Sequence, residues 1–328
     1  MKLLALLAAI ALLAAPAAKA ANVGFEELTI ANGTGKPLTV GVWYPTTASP
    51  TAQPFHLFSQ TVALHAAPVG RGLPLVVFSH GTGGWYGGHV DTALALARAG
   101  FVVAAVTHTG DNNDDQSQAG FIWQRSQQIH RLIDYMLGEW PAHGQLDPGR
   151  VGMFGFSAGG FTTLVIAGGV PDLGKVSAHC IEHPDYFDCG VVKRAGADTM
   201  RAMVAQLPPS LFVHDAHVRA AVVAAPALGF TFAPDGLKGV TIPIQLWKAE
   251  DDHILPAPEY ADAVRAALPT PPEFHLVKNG DHFDFLAPCS DALRKAVPDI
   301  CVSRPGFDRE AFHAQFDDAV VAFFKAKL

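Results

Sequence analysis

Arg150-Val151-Gly152-Met153-Phe154-Gly155-Phe156-Ser157-Ala158-Gly159-Gly160 is the stretch on which the reading of this chain turns. Its first half is a continuous apolar run, as a strand buried on both faces requires. Its second half opens a helix of small and apolar residues that runs to about Gly168. Between them stands Gly-x-Ser-x-Gly, the pattern of a sharp strand-to-helix turn that lifts a serine hydroxyl above the end of a sheet. Such a turn needs small residues two before and two after the serine. The helix N-terminus behind it favours negative charge developing beside the hydroxyl. A glycine-rich turn whose serine merely caps the helix would leave the same pattern.

Working outward, residues 75–78, 101–106, 220–224 and 242–247 repeat the apolar run. Helical patterns cover 90–98, 116–137, 158–166, 257–267 and 312–325. Strand–helix alternation of this kind predicts an α/β fold with a mostly parallel, doubly wound sheet. Segments 25–30 and 38–44 alternate apolar and polar residues around Asn32-Gly33, which predicts an antiparallel pair at a sheet edge. Residues 170–218 interrupt the rhythm with a longer polar and helical stretch, the place for a lid or cap insertion after the serine helix. No repeat, low-complexity tract or linker divides residues 21–328, which read as a single domain.

Residues 1–20 read as a signal peptide: Lys2, an apolar core from Leu3 to Ala15, and the small-x-small site Ala18-Lys19-Ala20. Cleavage near Ala20 predicts an exported protein, periplasmic or secreted. No later segment is long and apolar enough to be an integral membrane span. A formal net charge of −7 argues against a nucleic-acid partner. The 4 cysteines, Cys180, Cys189, Cys289 and Cys301, read as disulfides in an exported chain, with the local pairing Cys180–Cys189 and Cys289–Cys301 expected among three connectivities. A cysteine metal site is the rival, without C-x-x-C spacing to support it.

A serine needs a base, an orienting acid and an oxyanion hole before it acts as a nucleophile. Asp252 lies in the loop past the run ending at Trp247 and precedes Ile254-Leu255-Pro256, which favours it over Asp251. As the acid it competes with a plain helix-capping role. His282 follows the turn Lys278-Asn279-Gly280-Asp281 after the strand pattern 273–277, where a general base should sit. His275 lies within that strand pattern, and His253 adjoins Asp252 too closely. The oxyanion hole is assigned to the N–H of Ala158, next to the serine, and of Thr82 in the loop Ser79-His80-Gly81-Thr82-Gly83-Gly84-Trp85. Trp85 and Tyr86 would lie near the substrate pocket, or serve as packing.

Other classes find weaker support. Gly81-x-Gly83 with Asp111 faintly imitates a dinucleotide fingerprint, but the glycine spacing departs from it. The acidic run Asp111-Asn112-Asn113-Asp114-Asp115 lacks EF-hand spacing and reads as a solvated loop. His214 and His217 lack a third metal ligand and read as exposed helix residues. No metal and no cofactor is expected.

Gly41-Val42-Trp43-Tyr44-Pro45, Val77-Phe78-Ser79-His80-Gly81, residues 100–106, the serine turn, Asp252 and Gly280-Asp281-His282 together resemble the α/β-hydrolase superfamily. Within it they resemble the branch of platelet-activating-factor acetylhydrolases and dienelactone-hydrolase-like proteins. The resemblance implies hydrolysis of a small-molecule or lipid carboxylic ester through a Ser157–His282–Asp252 triad and an acyl-enzyme. Ser157 stands where dienelactone hydrolases carry cysteine and where haloalkane dehalogenases and epoxide hydrolases carry aspartate. A serine peptidase on the same scaffold and a non-catalytic binding protein remain alternatives.

Overall fold

A computed structural model describes residues 22–328. The signal-peptide reading of 1–20 lies outside them. Among the described residues ten strands form one sheet in the order β10-β9-β8-β7-β5-β6-β2-β1-β4-β3. The central and far strands are β5 (Leu73–Ser79), β6 (Val102–Thr107), β7 (Leu146–Phe156), β8 (Val218–Ala224), β9 (Ile244–Ala249) and β10 (Glu273–Val277). Every neighbouring pair among these six is parallel. β1 (Asn22–Ile30) and β2 (Leu38–Thr46) pair antiparallel in full register, with β2 also antiparallel to β6.

The expected edge position of that pair is corrected by the structure. Beyond β1 lie β4 (Phe58–Leu64) and β3 (Thr51–Phe55), an antiparallel hairpin that carries the sheet edge. β3 is short with Pro54 within it, and β4 mixes apolar and polar residues without strict alternation, so neither shows the strong periodicity that would announce a strand.

Alternation along the central strands divides the core. Val76 and Phe78 of β5 join Phe154 and Phe156 of β7 against α1 (Val90–Arg98) and α9 (Arg309–Lys327). Leu75, Val77, Val151 and Met153 face the other way, onto Ile129, Leu132 and Met136 of α2 (Gln124–Gly138). On that second face α3 (Ala158–Ile166) and α7 (Ala261–Ala267) complete the layer through Phe161, Leu164 and Val264. Period-two strands buried on both sides give this three-layer arrangement.

Two helices start later than their sequence patterns. α2 begins at Gln124 rather than 116, because residues 108–123 are occupied by a loop whose side chains bond inward. α7 begins at Ala261 rather than 257, since Pro258 pushes the residue before it, Ala257, away from helical backbone angles. Between α3 and β8 stand α4 (Lys175–Glu182), α5 (Phe187–Ala195) and α6 (Ala197–Val204). Cys180 of α4 is bonded to Cys189 of α5, and Cys289 is bonded to Cys301 on either side of α8 (Asp291–Ala296). Among the described residues no helix is long and apolar enough to cross a membrane.

Candidate active site

β7 hands directly into α3 at Ser157, whose backbone stands at φ 55°, ψ −118°. An L side chain rarely adopts that conformation, and structures retain it where the surroundings over-determine it. Here Ser157 N–H donates to Ala224 O of β8, and Ser157 O accepts from Phe161 and Ala227 N–H. The flanking glycines are a steric requirement. A Cβ on Gly155 would lie 2.1 Å from Gly159 O, and one on Gly159 only 1.8 Å from Ser79 O.

The turn raises the Ser157 hydroxyl to 3.1 Å from His282 Nε2. His282 Nδ1 lies 2.8 Å from Asp252 Oδ2, and both side chains are buried. Asp252, in the loop after β9, uses Oδ1 to accept the N–H groups of Ile254 and Leu255, so its carboxylate is held from two directions. The three residues lie at the carboxyl ends of β7, β9 and β10, one rim of a parallel sheet, where ligand clefts form in open α/β folds.

The rival residues go elsewhere. Asp251 pairs with Arg304 at 3.0 Å, and His275 stacks on Trp247 with ring centroids 4.0 Å apart. His253 bonds Asp281, away from the serine.

Thr82, Ser157 and Ala158 line one cavity of about 330 Å³. Neither the Thr82 nor the Ala158 N–H has a backbone acceptor among the described residues. The α4–α6 segment contributes Val176, Val192, Met200 and Val204 to the lining of this cavity, which is mainly aliphatic. A second cleft of about 430 Å³ shares Thr82 and is aromatic, with Phe58, Trp85 and Phe283 in its lining. Trp85 therefore reaches a pocket, whereas Tyr86 does not. Tyr86 is buried among Trp43 and Phe55, with its hydroxyl donating to Glu27, and burial raises its pKa.

The chain has the fold of α/β-hydrolases, and part of it is similar to the platelet-activating-factor-acetylhydrolase family. Residues 59–130 match the family model of platelet-activating factor acetylhydrolase, isoform II. The Bacillus subtilis (strain 168) protein named "Putative esterase YitV" is 31% identical over 99 residues, 29% of this chain and 39% of that protein. The match thus spans about two-fifths of that relative's length. A ferulic acid esterase from Streptomyces cinnamoneus has the same fold, with a TM-score of 0.63 at 19% identity, covering 96% of this chain and 92% of that one.

Around the candidate site stand residues that sequence reasoning missed. Asp284, in the turn carrying His282, accepts the Asp281 N–H and pairs at 2.9 Å with Arg309 of α9. Arg125 of α2 pairs at 2.7 Å with Asp111 and donates to two carbonyls of the loop after β5. Asp111 is thus a buried structural anion. Arg125 sits in a segment that reads as helix and Arg309 just before one, and nothing in one dimension announced either. His214 and His217 are exposed as expected but lie in the loop before β8 rather than on a helix, and His217 and His130 flank the carboxylate of Asp215 at 2.8 and 2.7 Å.

Proposed function

We propose that this protein is a serine carboxylic-ester hydrolase, with Ser157 as nucleophile, His282 as general base and Asp252 as the group that orients it. The observation that carries the reading is the unbroken chain Ser157 Oγ–His282 Nε2–Asp252 at 3.1 and 2.8 Å beside an apolar cavity. The family match at residues 59–130 and the esterase relatives support the same chemistry.

His282 Nε2 takes the Ser157 proton as Oγ attacks the ester carbonyl. The carbonyl oxygen becomes an oxyanion facing the N–H groups of Thr82 and Ala158, each contributing about 3 kcal/mol of barrier lowering. The intermediate collapses, the C–O bond to the alcohol breaks, and His282 returns the proton to the leaving oxygen. Water then attacks the acyl-enzyme by the same route and frees the acid. Asp252 holds Nδ1–H throughout, leaving Nε2 as the base, and stabilises the imidazolium.

The aliphatic cavity suits the acyl chain, and the aromatic cleft past Thr82 suits the alcohol. Residues 170–218 act as the lid over the acyl side. The protein is exported, in keeping with its two disulfides.

Hydrolysis of p-nitrophenyl acetate, butyrate and octanoate, with Ser157→Ala alongside, tests the reading. Turnover lost in the variant supports it; equal turnover in both proteins, or none by the wild type on any ester, overturns it.

A further inference from the structure

Thr82 is suspended between two anchors. On one side Arg125 Nη1 donates to His80 O at 2.5 Å and Nη2 to Gly81 O at 3.2 Å. On the other, Asp111 Oδ1 accepts the Gly83 N–H at 3.0 Å. The two anchors are one ion pair, since Arg125 Nε and Nη2 also reach Asp111 Oδ2 at 2.9 and 2.7 Å. Arg125 is 2% and Asp111 3% exposed, so both charges are out of water. A second brace repeats the constraint. His80 Nε2 accepts the His108 N–H at 3.0 Å, which leaves Nδ1–H to donate to Gly81 O at 2.6 Å.

A trans peptide points its C=O and N–H in opposite directions. With Gly81 O held by Arg125 and His80, the Thr82 N–H must point away from them. With the Gly83 N–H held by Asp111, the Thr82 C=O must also point away from the pair. Thr82 lines the cavity it shares with Ser157 and Ala158. We propose that Arg125 and Asp111 are positioning residues for the oxyanion hole, aiming the Thr82 N–H at the carbonyl oxygen of a substrate held by Ser157.

This rests on the serine-esterase reading above and adds to it a part that sequence order does not reveal. Net stabilisation is a poor explanation for the pair, because desolvating two charges offsets most of their attraction. Directed geometry is a better one. The guanidinium presents five donors in a rigid plane, and here it spans two carbonyls and a carboxylate at once. A lysine keeps the charge but concentrates its donors on one atom.

The experiment compares wild type, Arg125→Lys, Asp111→Asn and the double variant on p-nitrophenyl butyrate. Rates are divided by the Ser157 that a fluorophosphonate labels to completion, counted by intact mass, so that misfolded protein drops out. The expected result is kcat lower by roughly 10²-fold with KM within about twofold, the size of losing one oxyanion donor. The Ki of butylboronic acid, which adopts the tetrahedral geometry, rises in the same proportion, while butanol inhibits all four proteins equally. The double variant falls no further than the worse single one, because the pair acts as a unit. Wild-type kcat per labelled serine in either folded single variant overturns the proposal, as does a parallel loss of butanol binding. If Arg125→Lys does not fold, Asp111→Asn alone decides between these outcomes. A wild type without esterase activity, or a Ser157→Ala variant that keeps it, would instead sink the underlying reading.

Discussion

Asp252 turns one carboxylate oxygen to His282 Nδ1 at 2.8 Å and commits the other to its own loop, where Ile254 and Leu255 donate at 3.0 and 2.7 Å. The acid is therefore both the anchor of its own turn and the partner of the imidazole. The plain helix-capping role is not seen, because α7 starts at Ala261 with Tyr260 before it. In Asp252→Asn the side-chain oxygen can still accept from the loop, but the amide cannot replace the carboxylate that fixes the tautomer. Activity is expected to fall by about 10⁴-fold at an unchanged melting temperature. Measuring kcat and thermal unfolding on one preparation checks this; a loss of activity that tracks loss of fold would contradict it.

The aliphatic wall built by α4, α5 and α6 predicts a change in chain-length preference. Val192 lines the cavity from α5, so Val192→Phe fills space that an acyl chain would occupy. The ratio of kcat/KM for octanoate over acetate should drop by about tenfold or more, since each methylene in such a pocket is worth about 1–3 kcal/mol. An unchanged ratio would place the acyl chain elsewhere.

The His282 turn depends on the Asp284–Arg309 pair, whose side chains are 1% and 8% exposed. Removing one partner strands the other charge in the interior. Asp284→Ala should destabilise the protein by about 3–5 kcal/mol, read as a shift of the denaturation midpoint. A change below about 1 kcal/mol would mean the pair is better solvated than its burial implies.

Two groups, the buried His89 and the half-buried Asp317, give opposite pH dependences. Burial holds His89 down to about 4, from 6.5, so between those values the folded protein binds fewer protons than the unfolded chain. Its contribution is complete above pH 6.5 and is lost as the pH falls to about 4. Burial, with Asp91 nearby, raises Asp317 to about 7 from 3.8; there the folded state binds more protons, and stability is lost as the pH rises through that window. Relative to wild type, His89→Phe should therefore gain most in melting temperature near pH 4, and Asp317→Asn most near pH 8. The phenyl ring suits its site, because His89 already packs against Phe154 and Phe156 at 4.9 and 5.4 Å. Differences of the same sign and slope for both variants would refute the assignment.

What the sequence by itself determined was the part of this protein written in local pattern. Continuous apolar runs made the parallel strands legible because a strand buried on both faces needs apolar residues throughout. Gly155 and Gly159 marked the serine turn because any side chain there collides with backbone. Chain order and loop position then pointed to Asp252 and His282, which the fold brings together with Ser157 although they stand 95 and 125 residues beyond it. Only the tertiary structure decided the rest. The β3–β4 edge lacks apolar rhythm since few of its residues are buried. Tyr86 faces the core and Trp85 a cleft, a choice made by their neighbours rather than by residue type. Asp111 and Arg125 looked like ordinary loop and helix-surface charges. Their meaning comes from desolvation and from the carbonyls and N–H they grip in a loop 28 to 45 residues earlier in the chain, distances across which no periodicity can signal.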